Sequence, residues 1–290
     1  MTSRYVLRLE FDGAAYCGWQ KQAEDREAAD RPSVQSHVED GLRTFLRRSE
    51  RVVVQGCGRT DAGVHAEEFF AHFDLDAEWG PERVEKLRHG LNCLWPAGLA
   101  ATGAWAVPAD FHALDSVEEK TYEYRILLRR SPPTLLRGRC LWLPIRPGYR
   151  EGFDRDRLAE ALRALPGEHD FTAFAAAGAT TRTTVRKILS AELSAEKLGH
   201  DEGQGELLRL RFRGEGFLKQ MVRNLVGTLV EIAQGKREAG DLPRLLREAA
   251  PRSEAGFCAP PEGLFLTRVR SPASIESLWT ASESHEGSGG

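Results

Sequence analysis

Two successive runs of strand, helix, two strands, helix and strand most narrow what this chain can fold into. In the first run Tyr5, Leu7, Leu9 and Phe11 alternate with Val6, Arg8 and Glu10, the two-residue period of a half-buried strand. Pro32-Ser33 then open a segment in which Val34, Val38, Leu42, Phe45 and Leu46 recur at helical spacing, with Ser33 placed to cap it. Strand-like runs follow at 51–56 and 68–75 around a polar, glycine-containing loop. A helical pattern (Val84, Leu87, Leu91) begins after Pro81, and a strand is expected around 99–107. The second run repeats the order: a strand at 120–129, a helix at 155–165, strands near 185–194 and 206–213, a helix at 217–234, a short helix at 241–249 and a strand at 264–270. This order predicts an α+β chain of two ferredoxin-like (split βαβ) halves, with antiparallel sheets and helices on one face. The expected divisions are an α+β domain over 1–113 that carries the glycine-containing loop, a second α+β domain over 114–270, and a disordered acidic tail over 271–290.

Composition enters through charge and cysteine. The 290 residues carry 40 Lys plus Arg against 43 Asp plus Glu, a formal charge of −3 that taken alone argues against a nucleic-acid partner. That figure is unevenly distributed. The tail contributes all of it through Glu276, Glu283 and Glu286, while residues 120–150 set Lys120, Arg125, Arg129, Arg130, Arg137, Arg139, Arg146 and Arg150 against one acid, Glu123, a local +7. Five scattered cysteines without a Cys-x-x-Cys pair indicate free thiols rather than a disulfide framework or a zinc knuckle. No long apolar run is present, so the expectation is a cytoplasmic protein with no membrane segment.

Three segments can carry chemistry. The first is the loop Gly56-Cys57-Gly58-Arg59-Thr60-Asp61-Ala62-Gly63-Val64-His65-Ala66. Read blandly it is an ordinary connection whose glycines supply positive φ; read functionally, Arg59 and Asp61 can pair and keep a carboxylate ionised at a sheet edge. The nearest acids, Glu67 and Glu68, have no special spacing, which favours chemistry on one carboxylate over the two that glycoside hydrolysis uses. His65 lacks a companion at metal-ligand spacing, so it reads as a structural or substrate-positioning histidine, and no metal is expected. In the second segment, Lys120 to Arg125, alternation places Tyr122 and Tyr124 on one face. They are either core tyrosines or a stacking platform beside the +7 region. In the third, Leu218, Val222, Leu225, Leu229 and Ile232 form a core stripe, while Lys219, Arg223 and Gly227 form a second row at four-residue spacing. That row is either a solvated face or a place for phosphate or a carboxylate.

At these residues the sequence resembles the tRNA pseudouridine synthase A (TruA) family. The run GRTDAGVHA at 58–66 matches that family's catalytic signature without a change. Ordered matches surround it: FDG and GWQ-x-Q at 11–22, SVQ at 33–35, FHA at 111–113, Tyr-x-Tyr at 122–124, DFTAF at 170–174, FLKQMVRNLVG at 217–227 and APPEGLFL at 259–266. The resemblance implies an isomerase that converts uridine to pseudouridine at positions 38, 39 and 40 of the tRNA anticodon arm, working as a homodimer without cofactor or metal. It implies that Asp61 is the catalytic nucleophile and that Arg59 opens the helix and positions the flipped nucleotide. Tyr122 would stack on the target base, Arg223 would pair with Asp61, and His65 would belong to the substrate site, in a cleft between the halves. Arg125, Arg129 and Lys219 are the expected RNA contacts. Leu114 departs from the pattern, standing where the family usually has Arg after Phe-His-Ala, and Lys219-Gln220 stands where His or Asn is frequent. Two other classes remain open: an RNA-binding module that would not need the Arg59 and Asp61 pair, and a nucleosidase, which should carry a second catalytic acid.

Overall fold

The computed structural model describes residues 2–21, 31–144, 152–176, 181–199, 205–271 and 277. Among them the chain forms a mixed α+β structure of five α-helices and ten strands, paired mostly antiparallel. It divides into two compact units, one made of residues 1–119 with 266–290 and the other of 120–265. The segment 22–30, Arg146, Arg150 and nearly all of the predicted acidic tail lie outside the described residues.

In the first unit, β1 (Ser3–Phe11) is the central strand, flanked antiparallel by β4 (Leu99–Val107) and β3 (His65–Leu75). The short β2 (Gln55–Gly56) pairs with β3, and β10 (Leu264–Arg270) also neighbours β3. Tyr5, Leu7, Leu9 and Phe11 are buried, as the alternation predicts. Val6 is buried too, because its cross-strand neighbours on the opposite side are His72 and Trp105. Helix α1 (Val34–Phe45) begins where Ser33 Oγ accepts from Ser36 N at 3.1 Å. Helix α2 (Pro81–Leu94) starts with proline in its first turn and buries Val84, Leu87 and Leu91.

The predicted strand at 51–56 pairs only at its last two residues. Val52 and Val54 do alternate inward around an exposed Val53, but helix α1 meets this stretch with side chains. Val54 N donates to Glu39 Oε1 at 3.2 Å, Gln35 Nε2 donates to Val54 O at 2.9 Å, and Arg51 pairs with Glu39. Polar groups that a strand partner would satisfy are taken by a helix.

In the second unit, β5 (Glu119–Leu128), β9 (Glu206–Gly214), β8 (Val185–Lys197) and β7 (Gly167–Asp170) follow one another in antiparallel order, with β6 (Leu141–Leu143) parallel on β5. Asp154 caps α3 (Arg155–Leu162) by accepting from Asp156 N and Arg157 N. Helix α4 (Met221–Ala233) is buried nearly all round, and α5 (Asp241–Arg247) follows it. Helix α4 begins four residues later than the pattern suggests. Gln220 takes a φ of 59°, a left-handed conformation that breaks the helical run before Met221.

Candidate active site

Arg59, Asp61 and His65 all belong to the first unit, on the connection from β2 to β3 and the first residue of β3. The connection is held from beneath by residues 12–19. Trp19 N donates to Thr60 O, and Gly18, at a φ of +108°, passes so close that a Cβ there would sit 2.4 Å from Thr60 O. Only glycine satisfies both the angle and the approach. Trp19 itself is buried against Phe69, with ring centroids 4.3 Å apart. The loop closes as Val64 N donates to Asp61 O at 3.2 Å, which requires Gly63 at a φ of 82°.

These restraints leave Asp61 half-buried and Arg59 exposed. Between them Thr60 Oγ1 is buried without a hydrogen-bond partner among the described residues, an unused donor and acceptor beside the carboxylate. His65 is buried. Its Nδ1 accepts from Gly13 N at 3.2 Å and lies 3.0 Å from Asp12 Oδ1, so it fastens the turn at Gly13–Ala15 that supports the loop. His112 of the Phe-His-Ala turn sits 2.6 Å from Gln55 Oε1 at β2, and the neighbouring Leu114 is exposed.

Tyr122, Arg125, Arg129, Lys219 and Arg223 belong to the second unit. Along β5, Tyr122 and Tyr124 share one face, but their environments differ. Tyr124 is fully buried, with its hydroxyl donating to Pro260 O at 2.8 Å, and burial pushes its pKa well above the ordinary phenol value. Tyr122 is only half-buried, edge-on to Phe217 with centroids 5.0 Å apart. Of the two, Tyr122 is the ring a ligand can reach. Arg223, in the first turn of α4, grips Ala259 twice: its Nε donates to Ala259 O at 2.7 Å, and Ala259 N donates to Arg223 O. Gly227, one turn on, lets this strap lie directly on the helix, since a Cβ there would stand 1.7 Å from Phe257 O. The second row on α4 therefore has a protein partner at Arg223 and Gly227, while Lys219 stays exposed.

Opposite the tyrosines, Glu123 is buried and receives Arg125 Nε and Arg211 Nε at 2.8 Å each, with Arg209 Nε at 3.6 Å. Burial alone would raise its carboxyl pKa. The hydrogen bonds and charges of Arg125 and Arg211 outweigh burial and hold it below the ordinary glutamate value. Arg125 also lies over the Phe265 ring at 3.7 Å. Arg129 donates to the carbonyls of Ser131 and Pro132, shaping the loop after β5.

A tRNA pseudouridine synthase family model matches residues 161–272. Over most of its length the chain is also similar to curated tRNA pseudouridine synthases A. It is 40% identical to that of Geobacter sp. strain M21 across 92% of this chain and 98% of the relative. Identity is again 40% with the Citrifermentans bemidjiense protein, across 91% and 95%, and 36% with the Lactococcus lactis protein, across 92% and 97%. The chain belongs to the tRNA pseudouridine synthase A family. It is a tRNA pseudouridine synthase, an isomerase.

With the family in view, the motifs outside the loop take on structural tasks that sequence reasoning missed. Asn224 is fully buried in the enzyme, donating to Phe174 O at 2.8 Å and accepting from Arg252 Nη2 at 2.9 Å. It thereby ties the DFTAF segment to the helix that carries Arg223. Asp170 opens that segment by accepting from Thr172 N and Oγ1. The only signal for Asn224 was its place after Arg223 in a helix, where a buried amide needs partners. Among the described residues, no three His, Cys, Asp or Glu side chains group as a metal site, and no helix is long and apolar enough to cross a membrane.

Proposed function

We propose that the enzyme isomerises uridine to pseudouridine at positions 38, 39 and 40 of the tRNA anticodon stem-loop, with Asp61 as nucleophile. The observation that carries this reading is the unbroken GRTDAGVHA signature in a chain of this family, with Asp61 half-exposed on a loop braced by Gly18 and His65. The reaction breaks the N1 to C1′ bond, turns the uracil and joins C5 to C1′, while the C5 proton is lost and N1 gains one. No electron is transferred and no water is consumed, so a single ionised carboxylate serves. Asp61 attacks the sugar or the base; removal of the 2′ proton is the alternative route for the same residue.

The target uridine must leave its stack at a cost of a few kcal/mol. Arg59, exposed beside Asp61, takes the space it vacates, and Tyr122 offers the extruded base a ring. Arg223 is a cation of the substrate site, and His65 holds the loop in place for the substrate. Lys219 contacts RNA phosphate. Arg125 and Arg129 add to the attractive field while their guanidiniums hold Glu123 and the loop carbonyls. The two units are read as ferredoxin-like halves, in a cytoplasmic homodimer that needs no cofactor.

The test is to incubate unmodified tRNA with wild type, Asp61→Ala and Asp61→Asn, digest to nucleosides and separate them by chromatography. Wild type is expected to form pseudouridine, and both variants to bind tRNA but form none. Equal product from wild type and variants would exclude Asp61 as the essential group.

A further inference from the structure

The loop after β5 combines three features that the catalytic reading does not use. First, it is rigidly built. Trp142 Nε1 donates to Arg129 O at 2.8 Å, Arg129 closes back on Ser131 O and Pro132 O, Arg137 N donates to Thr134 O, and Arg139 N donates to Leu136 O. Leu136 and Trp142 pack on a small core of Leu127, Cys140 and Leu207. Second, the adjacent Leu135 is 93% exposed, the most exposed of the large apolar side chains among the described residues. Third, Arg130, Arg137 and Arg139 are all exposed, and the stretch from Tyr124 to Arg150 contains no acid. Among the described residues neither Arg130 nor Arg137 has an ion-pair partner.

A single exposed leucine is ordinary on a protein surface. One held on a braced loop between the exposed Arg130 and Arg137, neither of which has an ion-pair partner among the described residues, is not accounted for by folding. The chemistry that satisfies both is a polyanion with apolar faces, in which phosphates meet the arginines and a ribose or base meets the leucine. A second copy of the same loop would be repelled by its own charge. We propose that the 130–139 loop docks on the tRNA outside the reacting nucleotide, with Leu135 against a sugar or base and Arg130 and Arg137 on flanking phosphates. This rests on tRNA being the substrate. It also shifts the RNA-facing cations of this region from Arg125 and Arg129, whose guanidiniums are occupied by the protein, to their exposed neighbours.

The experiment measures tRNA affinity against KCl concentration for wild type, Arg130→Gln/Arg137→Gln, Arg130→Lys/Arg137→Lys and Leu135→Ser, alongside pseudouridine formation. The glutamine pair is expected to weaken binding about tenfold and to lower the salt slope by about 1.5, two phosphate contacts at roughly 0.7–0.9 each. The lysine pair should keep the wild-type slope, and Leu135→Ser should weaken binding about threefold with the slope unchanged. In turnover the loss should fall on KM rather than kcat. Wild-type affinity and slope in the glutamine pair, with wild type forming pseudouridine, would overturn the docking role and leave the catalytic assignment standing. A wild type that binds tRNA and forms no pseudouridine would instead overturn that assignment. Binding of poly-L-glutamate that the glutamine pair abolishes, with tRNA affinity intact, would make the loop a site for acidic protein and would also overturn the proposal.

Discussion

Replacing Glu123 by glutamine tests whether the arginine clamp holds β5 in its register. The carboxylate is 2% exposed and accepts from two guanidiniums at 2.8 Å. Glutamine keeps the shape and one acceptor oxygen, but it turns an N–H toward the second guanidinium. A lost charge-assisted hydrogen bond is worth about 1.5–3 kcal/mol. Two effects soften the loss: glutamine no longer requires a buried charge, and Arg211, with 56% of its side chain exposed, can turn to water. The expected net destabilisation is about 2 kcal/mol, or roughly 4–8 °C in Tm.

The pH dependence carries a definite sign. Arg125 and Arg211 hold the folded carboxyl below its ordinary value of 4.5. Such a group stabilises the fold fully above its unfolded pKa and loses that contribution as pH falls through the folded one. The gap between wild type and Glu123→Gln should therefore be full at pH 7 and close below about pH 4. Urea denaturation followed by circular dichroism at several pH values measures it. A gap under about 0.5 kcal/mol at pH 7, or one that widens on acidification, would refute the reasoning.

Gly227→Ala should cost about 3 kcal/mol or more, because its Cβ would stand 1.7 Å from Phe257 O and the strap gripped by Arg223 must move. Activity should fall with stability. Gly240→Ala, which meets nothing within 4 Å, should change the melting temperature little. Gln220→Gly should raise stability by about 0.5–1 kcal/mol by relieving the φ of 59° before α4, read as a higher melting temperature.

What the sequence revealed, and what it hid, divides along the reach of the interactions. Local signals were legible: the Ser33 cap, the inward faces of α1 and α2, the alternation of β1, and the loop that holds Asp61. Interactions between distant segments were not. Val52 and Val54 alternate as a strand does, yet Gln35 and Glu39 from α1 take the polar groups at Val54, and no periodicity reveals a side chain acting as a strand partner. Strand β7, with Glu168, His169 and Asp170, carries no apolar alternation and forms because β8 lies beside it. On α4 the four-residue row was plain, but its partners at Phe257 and Ala259 lie 30 and 36 residues further on from Gly227 and Arg223. The left-handed turn at Gln220 is a backbone choice that glutamine does not advertise.

The division of the chain between its units bears on the order in which it folds during synthesis. The first unit is discontinuous, since it needs residues from Leu266 onward. Val269 N donates to Glu68 Oε1, and Arg270 O accepts from Glu118 N. The second unit is one unbroken stretch, 120–265. A ribosome therefore releases every residue of the later unit before it releases the stretch from Leu266 that the earlier one needs, reversing the usual precedence of the N-terminal domain. The segment bearing Asp61 is made first and is completed last, so a message truncated just after Phe265 would yield a whole second unit and a first one that lacks its closing stretch.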